Sequence, residues 1–173
     1  MNQGLKYFSN ITRYTEIYGE SDPLKENSKL IKKILLKIEK KQIRSLCDIG
    51  CGSAENLVFL EQFFRENRPS CLGIEPSIKS VMSLRKRFRK SKLKFEQGSI
   101  HNLEKKNNHF DLVICWSVLH WIDRDLYLQS IGELIRVSKK WIMVMDFCPK
   151  ESFKNKYKHK KGLYTYITDF DIH

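Results

Sequence analysis

A chain of 173 residues, 41% hydrophobic and 30% charged, has the size and composition of one globular domain, able to bury about 70% of the surface it exposes when unfolded. No apolar run reaches the ~20 residues that span a bilayer, and the opening MNQGLKYFSN lacks the basic start and apolar stretch of a secretory signal, so neither membrane spanning nor Sec-type export is expected and a cytoplasmic location is. The net charge of +12 attracts polyanions.

The basic residues concentrate in three runs, at 25–44, 79–94 and 150–161. Two readings compete: a nucleic-acid surface, or solvated helix faces in a chain rich in Lys and Ile with Ala54 as its only alanine. The five cysteines (Cys47, Cys51, Cys71, Cys115 and Cys148) are odd in number and contain no C-x-x-C pair. They are expected as buried free thiols rather than a disulfide framework or a metal site.

In chain order, Tyr7, Phe8, Tyr14 and Tyr18 make the start aromatic-rich. Asp22-Pro23 reads as a helix start, and Leu30, Ile31, Ile34, Leu35 and Ile38 continue it as an amphipathic helix over 23–41. Strands are expected at 43–49, 70–75, 92–97, 110–116 and 140–147. Between them fall helices at 54–67 (Leu57, Leu60, Phe64 inward), 77–90 (Ile78, Val81, Leu84, Phe88) and 123–137 (Leu128, Ile131, Leu134, Ile135). This alternation predicts an α/β fold, a Rossmann-like, mostly parallel sheet with helices on both faces. In such sheets ligands bind outside the carboxyl ends of the strands. We read residues 1–173 as a single domain: a helical cover over 1–42, a core over 43–147 and a short basic segment over 148–173.

The motifs sit at those carboxyl ends. After the first strand comes Asp48-Ile49-Gly50-Cys51-Gly52-Ser53-Ala54. Its glycines permit positive φ and close approach of a ligand, and the following helix start turns free N–H groups toward it. The second strand ends in Glu75, 25 residues after Gly50, where a carboxylate can accept from both hydroxyls of a ribose; the plain alternative is a surface Glu before the helix start Pro76-Ser77. A dinucleotide is disfavoured, because G-x-G-x-x-G is broken by Glu55, which would repel a pyrophosphate, and Asp48 would face a ligand's cation.

CDIGCGSA, GIEPS, FEQGSI, FDLVICWSVLHWID and LIRVSKKWIMVMDF, in that order, resemble a class I S-adenosylmethionine-dependent methyltransferase over residues 43–147, closest to bacterial enzymes acting on small molecules. The resemblance implies S-adenosyl-L-methionine as cofactor. It implies that Asp48, Gly50, Cys51 and Gly52 hold its methionine end, Glu75 its ribose, and Pro76 and Ser77 flank the adenine. Gly98, Ser99 and Ile100 would meet the adenine edge, with Ser99 standing where the family commonly has Asp. Cys115, Trp116 and Ser117 would run under the methionine and the methyl group. Arg13 resembles an N-terminal arginine that pairs with the cofactor carboxylate, against the reading of a plain surface arginine. His120 is a candidate general base, against the reading of a histidine packed behind the site.

The turn Cys115-Trp116-Ser117-Val118 lacks the Asn/Asp-Pro-Pro-aromatic signature of enzymes that methylate base amines, and WSVLHW resembles methyltransferases of sugars, acids and lipid precursors. The tail HKKGLYTYITDF resembles a stretch found in surface-polysaccharide pathways. The expected reaction is transfer to a small-molecule hydroxyl or carboxylate oxygen. RNA methylation through the basic surface and a non-catalytic cofactor-binding module are the alternatives. Arg85 to Lys94 are expected away from the active-site rim. After Phe147 the sequence predicts at most one further strand, so the hairpin that completes the family's seven-stranded sheet is expected to be short or missing. The chain is then a shortened or truncated member with an exposed sheet edge open to dimerisation.

Overall fold

The computed structural model describes residues 3–10, 31–147, 150–157 and 161–167. Five apolar runs form a single parallel sheet: β1 (Ser45–Ile49), β2 (Ser70–Glu75), β3 (Lys94–Gln97), β4 (Phe110–Trp116) and β5 (Ser138–Met145). The order is β3-β2-β1-β4-β5. The chain runs outward from β1 to β3, then crosses back to β4, so the order reverses between β1 and β4. Their carboxyl ends frame the crevice in which such folds bind ligands.

Burial on both faces explains the near-continuous apolar strands. One face carries α2 (Glu55–Phe63) and α3 (Ile78–Arg87), with Leu57, Leu60, Phe64, Val81 and Leu84 in one core with Leu46, Leu112 and Ile114. The other carries α4 (Arg124–Val137), packed on Cys47, Ile49, Val113 and Cys115. Asp111 braces the amino-terminal edge of β1: its Oδ2 accepts from Arg44 N at 2.8 Å and Ser45 N at 3.0 Å. No helix of the described residues is long and apolar enough to cross a membrane.

Several expectations change. Of the helix expected over 23–41, residues 31–35 are helical, and i→i+3 bonds from Lys37 N to Ile34 O and Ile38 N to Leu35 O end it; the part before residue 31 lies outside the described residues. On α4 the inward stripe is Ser130, Leu134 and Val137, while Leu128 is 82% and Ile135 60% exposed. Ser130 passes as polar in a periodicity count, yet it is buried by donating its hydroxyl to Leu126 O at 2.8 Å. Ile78 is also exposed, at the outer start of α3. A short helix α1 (Gln3–Phe8) lies within the span read as a helical cover, 1–42.

The expectation of at most one strand after Phe147 is overturned. β6 (Phe153–Lys156) and β7 (Tyr164–Ile167) pair antiparallel, Phe153 with Ile167 and Lys156 with Tyr164. Backbone pairing holds this ribbon, helped by Gly162 at φ +82° in the turn, so β6 needs no apolar alternation. The ribbon does not extend the main sheet, which stops at five strands among the described residues. Leu163, beside β7, instead packs with Phe8 and Trp121.

Candidate functional site

The turn after β1 is shaped by backbone that ordinary residues avoid: Gly50 at φ +73°, Gly52 at +53° and Ala54 at +70°. Gly50 N and Cys51 N donate to Ile74 O at 2.8 and 3.2 Å, tying the turn to the end of β2. A Cβ at Gly50 would run into the Val118 methyls, and one at Gly73 would lie 2.7 Å from Cys51 Sγ. These glycines therefore let the loop after β4 settle directly on the turn, and the turn on β2.

Asp48 closes β1. It is 1% exposed, and neither carboxylate oxygen has a hydrogen-bond partner among the described residues. Burial first, and then the charges of Glu75 and Glu55, push it up to about 8. An orphaned buried carboxylate is costly, so this one is poised to receive a cation. Glu75, also 1% exposed, accepts from Gly52 N and Ser77 N, each at 3.2 Å. It thus braces the turn, and a carboxylate accepts hydrogen bonds from hydroxyl donors. Glu55 accepts from the Ser53 hydroxyl. Three acids thus gather at the glycine turn of a strongly basic protein, an arrangement that suits a cationic nucleoside and repels a pyrophosphate.

Ser77 caps α3, its hydroxyl accepting from Ser80 N at 3.2 Å. Gln97 Nε2 donates to Pro76 O at 3.1 Å, and Gly98 N to Glu75 O at 3.2 Å, bringing the ends of β2 and β3 together. Ser99 Oγ lies 2.8 Å from His101 Nδ1. The side chains of Ile100 and Cys115 are core, 4% and 0% exposed. Cys51 is buried too, and burial pushes its thiol and those of Cys47 and Cys115 well up, so they are inert thiols. Trp116 is half-buried, and Ser117 turns the chain at φ +53°. Arg13 lies outside the described residues. Arg87 departs from the expectation for the basic run: its Nη1 reaches Ser53 O at 3.4 Å, at the glycine turn.

His120 sits in a short 3₁₀ turn, Leu119–Trp121. Its Nδ1 is 2.6 Å from Asp146 Oδ1, and these two side chains are 8% and 2% exposed. Asp146 Oδ2 accepts from Leu119 N at 2.8 Å and His120 N at 3.3 Å. The sequence reading missed Asp146. The available signal was an acid just past the carboxyl end of the last sheet strand, the same placement that singled out Glu75.

Residues 46–140 match the family described as a methyltransferase domain. Over 107 residues the chain is 25% identical to a probable S-adenosylmethionine-dependent methyltransferase, CRG1, of Saccharomyces cerevisiae, a match covering 59% of this chain and 35% of that protein. The chain therefore spans about a third of the length of this curated relative. A solved S-adenosylmethionine-dependent methyltransferase of Leishmania major superposes with a TM-score of 0.73 at 9% identity, over 96% of this chain and 67% of that one. A Pyrococcus horikoshii protein superposes at 0.67 with 17% identity, over 95% and 84%. At such identities the two structures establish the shared fold.

Proposed function

The chain belongs to the methyltransferase-domain family, and we propose that it transfers a methyl group from S-adenosyl-L-methionine to an oxygen of a small molecule. The observation that carries this reading is the partnerless, buried carboxylate of Asp48, set beside Glu75 and Glu55 at the glycine turn. When bound, the cofactor supplies an electrophilic methyl group on a positively charged sulfur.

Asp48 would accept the cofactor's ammonium, Glu75 its ribose hydroxyls and Ser99 its adenine amine. The Gly50–Gly52 backbone, with Trp116 and Ser117, would hold the methionine part. Pro76 and Ser77 would border the base. His120 would take the acceptor's proton. Beyond this the protein's task is to align the reactants and exclude water.

Titration calorimetry with S-adenosylmethionine, S-adenosylhomocysteine and NAD tests the reading. The two sulfur nucleosides are expected to bind and NAD is not. NAD binding as tightly as the sulfur nucleosides, or no binding of either sulfur nucleoside, would reject it. RNA is the second acceptor to consider, because the Lys and Arg side chains of 79–94 form no ion pair with an acid among the described residues and Arg87 touches the glycine turn. An RNA acceptor would bind with an affinity that falls steeply with salt.

A further inference from the structure

We propose that Asp146 is a positioning residue that fixes the tautomer of His120, and that the acceptor is therefore a hydroxyl, which has a proton to lose, rather than a carboxylate. This rests on the methyl-transfer reading above. A carboxylate only accepts hydrogen bonds. At 2.6 Å from Asp146 Oδ1, His120 Nδ1 must carry the ring proton, so the neutral ring presents Nε2 as a bare lone pair. Among the described residues Nε2 makes no hydrogen bond, and His120 is 7% exposed.

Asp146 is itself held rigidly. Leu119 N and His120 N donate to Oδ2, and Phe147 N donates to Oδ1 at 2.8 Å. The His120 ring is flanked by Trp121 and Phe147, with centroids 5.0 and 5.1 Å away. The loop carrying it is pinned on the glycine turn by Val118, and Ser117 N donates to Met145 O at 2.8 Å. One carboxylate at the end of β5 thus orders both the loop and the ring.

In the step this arrangement serves, the acceptor oxygen forms its bond to the methyl carbon as the carbon–sulfur bond breaks. That bond's electron pair stays on sulfur, cancelling its charge. The hydroxyl proton passes to His120 Nε2, and the resulting imidazolium is paired with Asp146. A carboxylate acceptor, already ionised at neutral pH, would have no use for this base.

The test uses the full chain labelled with ¹⁵N-histidine, the His120 signals being assigned by their loss in His120→Gln. In the wild type, long-range ¹H–¹⁵N spectra of the neutral ring are expected to show Nδ1 protonated and Nε2 bare. In Asp146→Asn the amide oxygen keeps the bonds from Leu119 N and His120 N, which turns its NH₂ toward Nδ1 and drives the proton to Nε2. S-adenosylhomocysteine affinity is expected to stay within about threefold. Transfer from S-adenosylmethionine to a panel of sugars, nucleotide-sugars and phenols is expected to fall by about 10²–10⁴, the usual worth of a general base.

His120→Gln leaves Asp146 bonded to the backbone and should give the same loss if Asp146→Asn does not fold. A wild-type ring protonated at Nε2 overturns the proposal. So does undiminished hydroxyl methylation in either folded variant, or a wild type that methylates added short-chain carboxylic acids but no hydroxyl of the panel. Failure of the methyl-transfer reading would appear separately, as absent S-adenosylhomocysteine binding with the His120 tautomer as stated.

Discussion

Asp48 has the least ordinary chemistry in the protein. Its level of about 8 against an ordinary 3.8 means the free protein holds it largely protonated at neutral pH. Because the folded value is raised, its contribution to stability is complete below about pH 4 and is lost as pH rises through about 8. Asp48→Asn is therefore expected to flatten the fall of Tm over that window in the ligand-free protein, as read by thermal melts across pH. A bound ammonium favours the charged carboxylate, so cofactor binding should expel a proton below pH 8, with affinity rising toward pH 8 by at most about tenfold per unit. Calorimetry in buffers of different ionisation enthalpy reads that proton directly, and finding none would remove Asp48 from the cation's contact. Glu75→Ala should weaken cofactor binding tenfold or more, since a hydrogen bond to a charged group is worth about 1.5–3 kcal/mol. It should also lower Tm, because Gly52 N and Ser77 N lose their acceptor. Unchanged calorimetric affinity would count against the ribose role.

At the scale of elements, the glycine turn and the loop after β4 act as one unit, joined where Val118 occupies the space a Gly50 side chain would need. Gly50→Ala is expected to cost about 1–2 kcal/mol for its left-handed backbone alone, plus the displacement of Val118. Adding Val118→Ala should return the second part but not the first. A double-mutant cycle by denaturant melts measures this, and strict additivity would show that the two residues do not meet. The turn itself was readable from CDIGCGSA, because positive φ and small residues leave a mark on sequence. Its partner Val118 was not, because nothing local says which side chain fills a glycine's space. Asp146 escaped for the same reason: it acts on His120 across 26 residues of chain, through adjacency of β4 and β5. The core of α2 was legible from its 3.6 period, whereas α4 hid its inward stripe behind Ser130, whose hydroxyl is satisfied within the helix.

For the whole molecule, the strand alternation foretold the parallel sheet, but the basic segment after Phe147 was misjudged, since a ribbon held by backbone pairing requires no apolar alternation. The sheet's two edges differ physically. β3 is four residues long, and Lys94 and Glu96 charge it, which is how exposed edges are ordinarily blunted. β5 is eight residues long and among the described residues pairs only with β4, and its Trp141, Ile142 and Val144 are 39–40% exposed. Long, apolar open edges invite pairing with further chains, so self-association is expected to grow with concentration. Ile142→Lys should suppress it, because the aliphatic stem can still cover β5 while the ammonium reaches water. Stability should change by no more than about 1 kcal/mol, as for a partly exposed site. Sedimentation velocity over a concentration series, with a thermal melt as control, makes the comparison. If the two proteins sediment identically at every concentration, the β5 edge does not drive association.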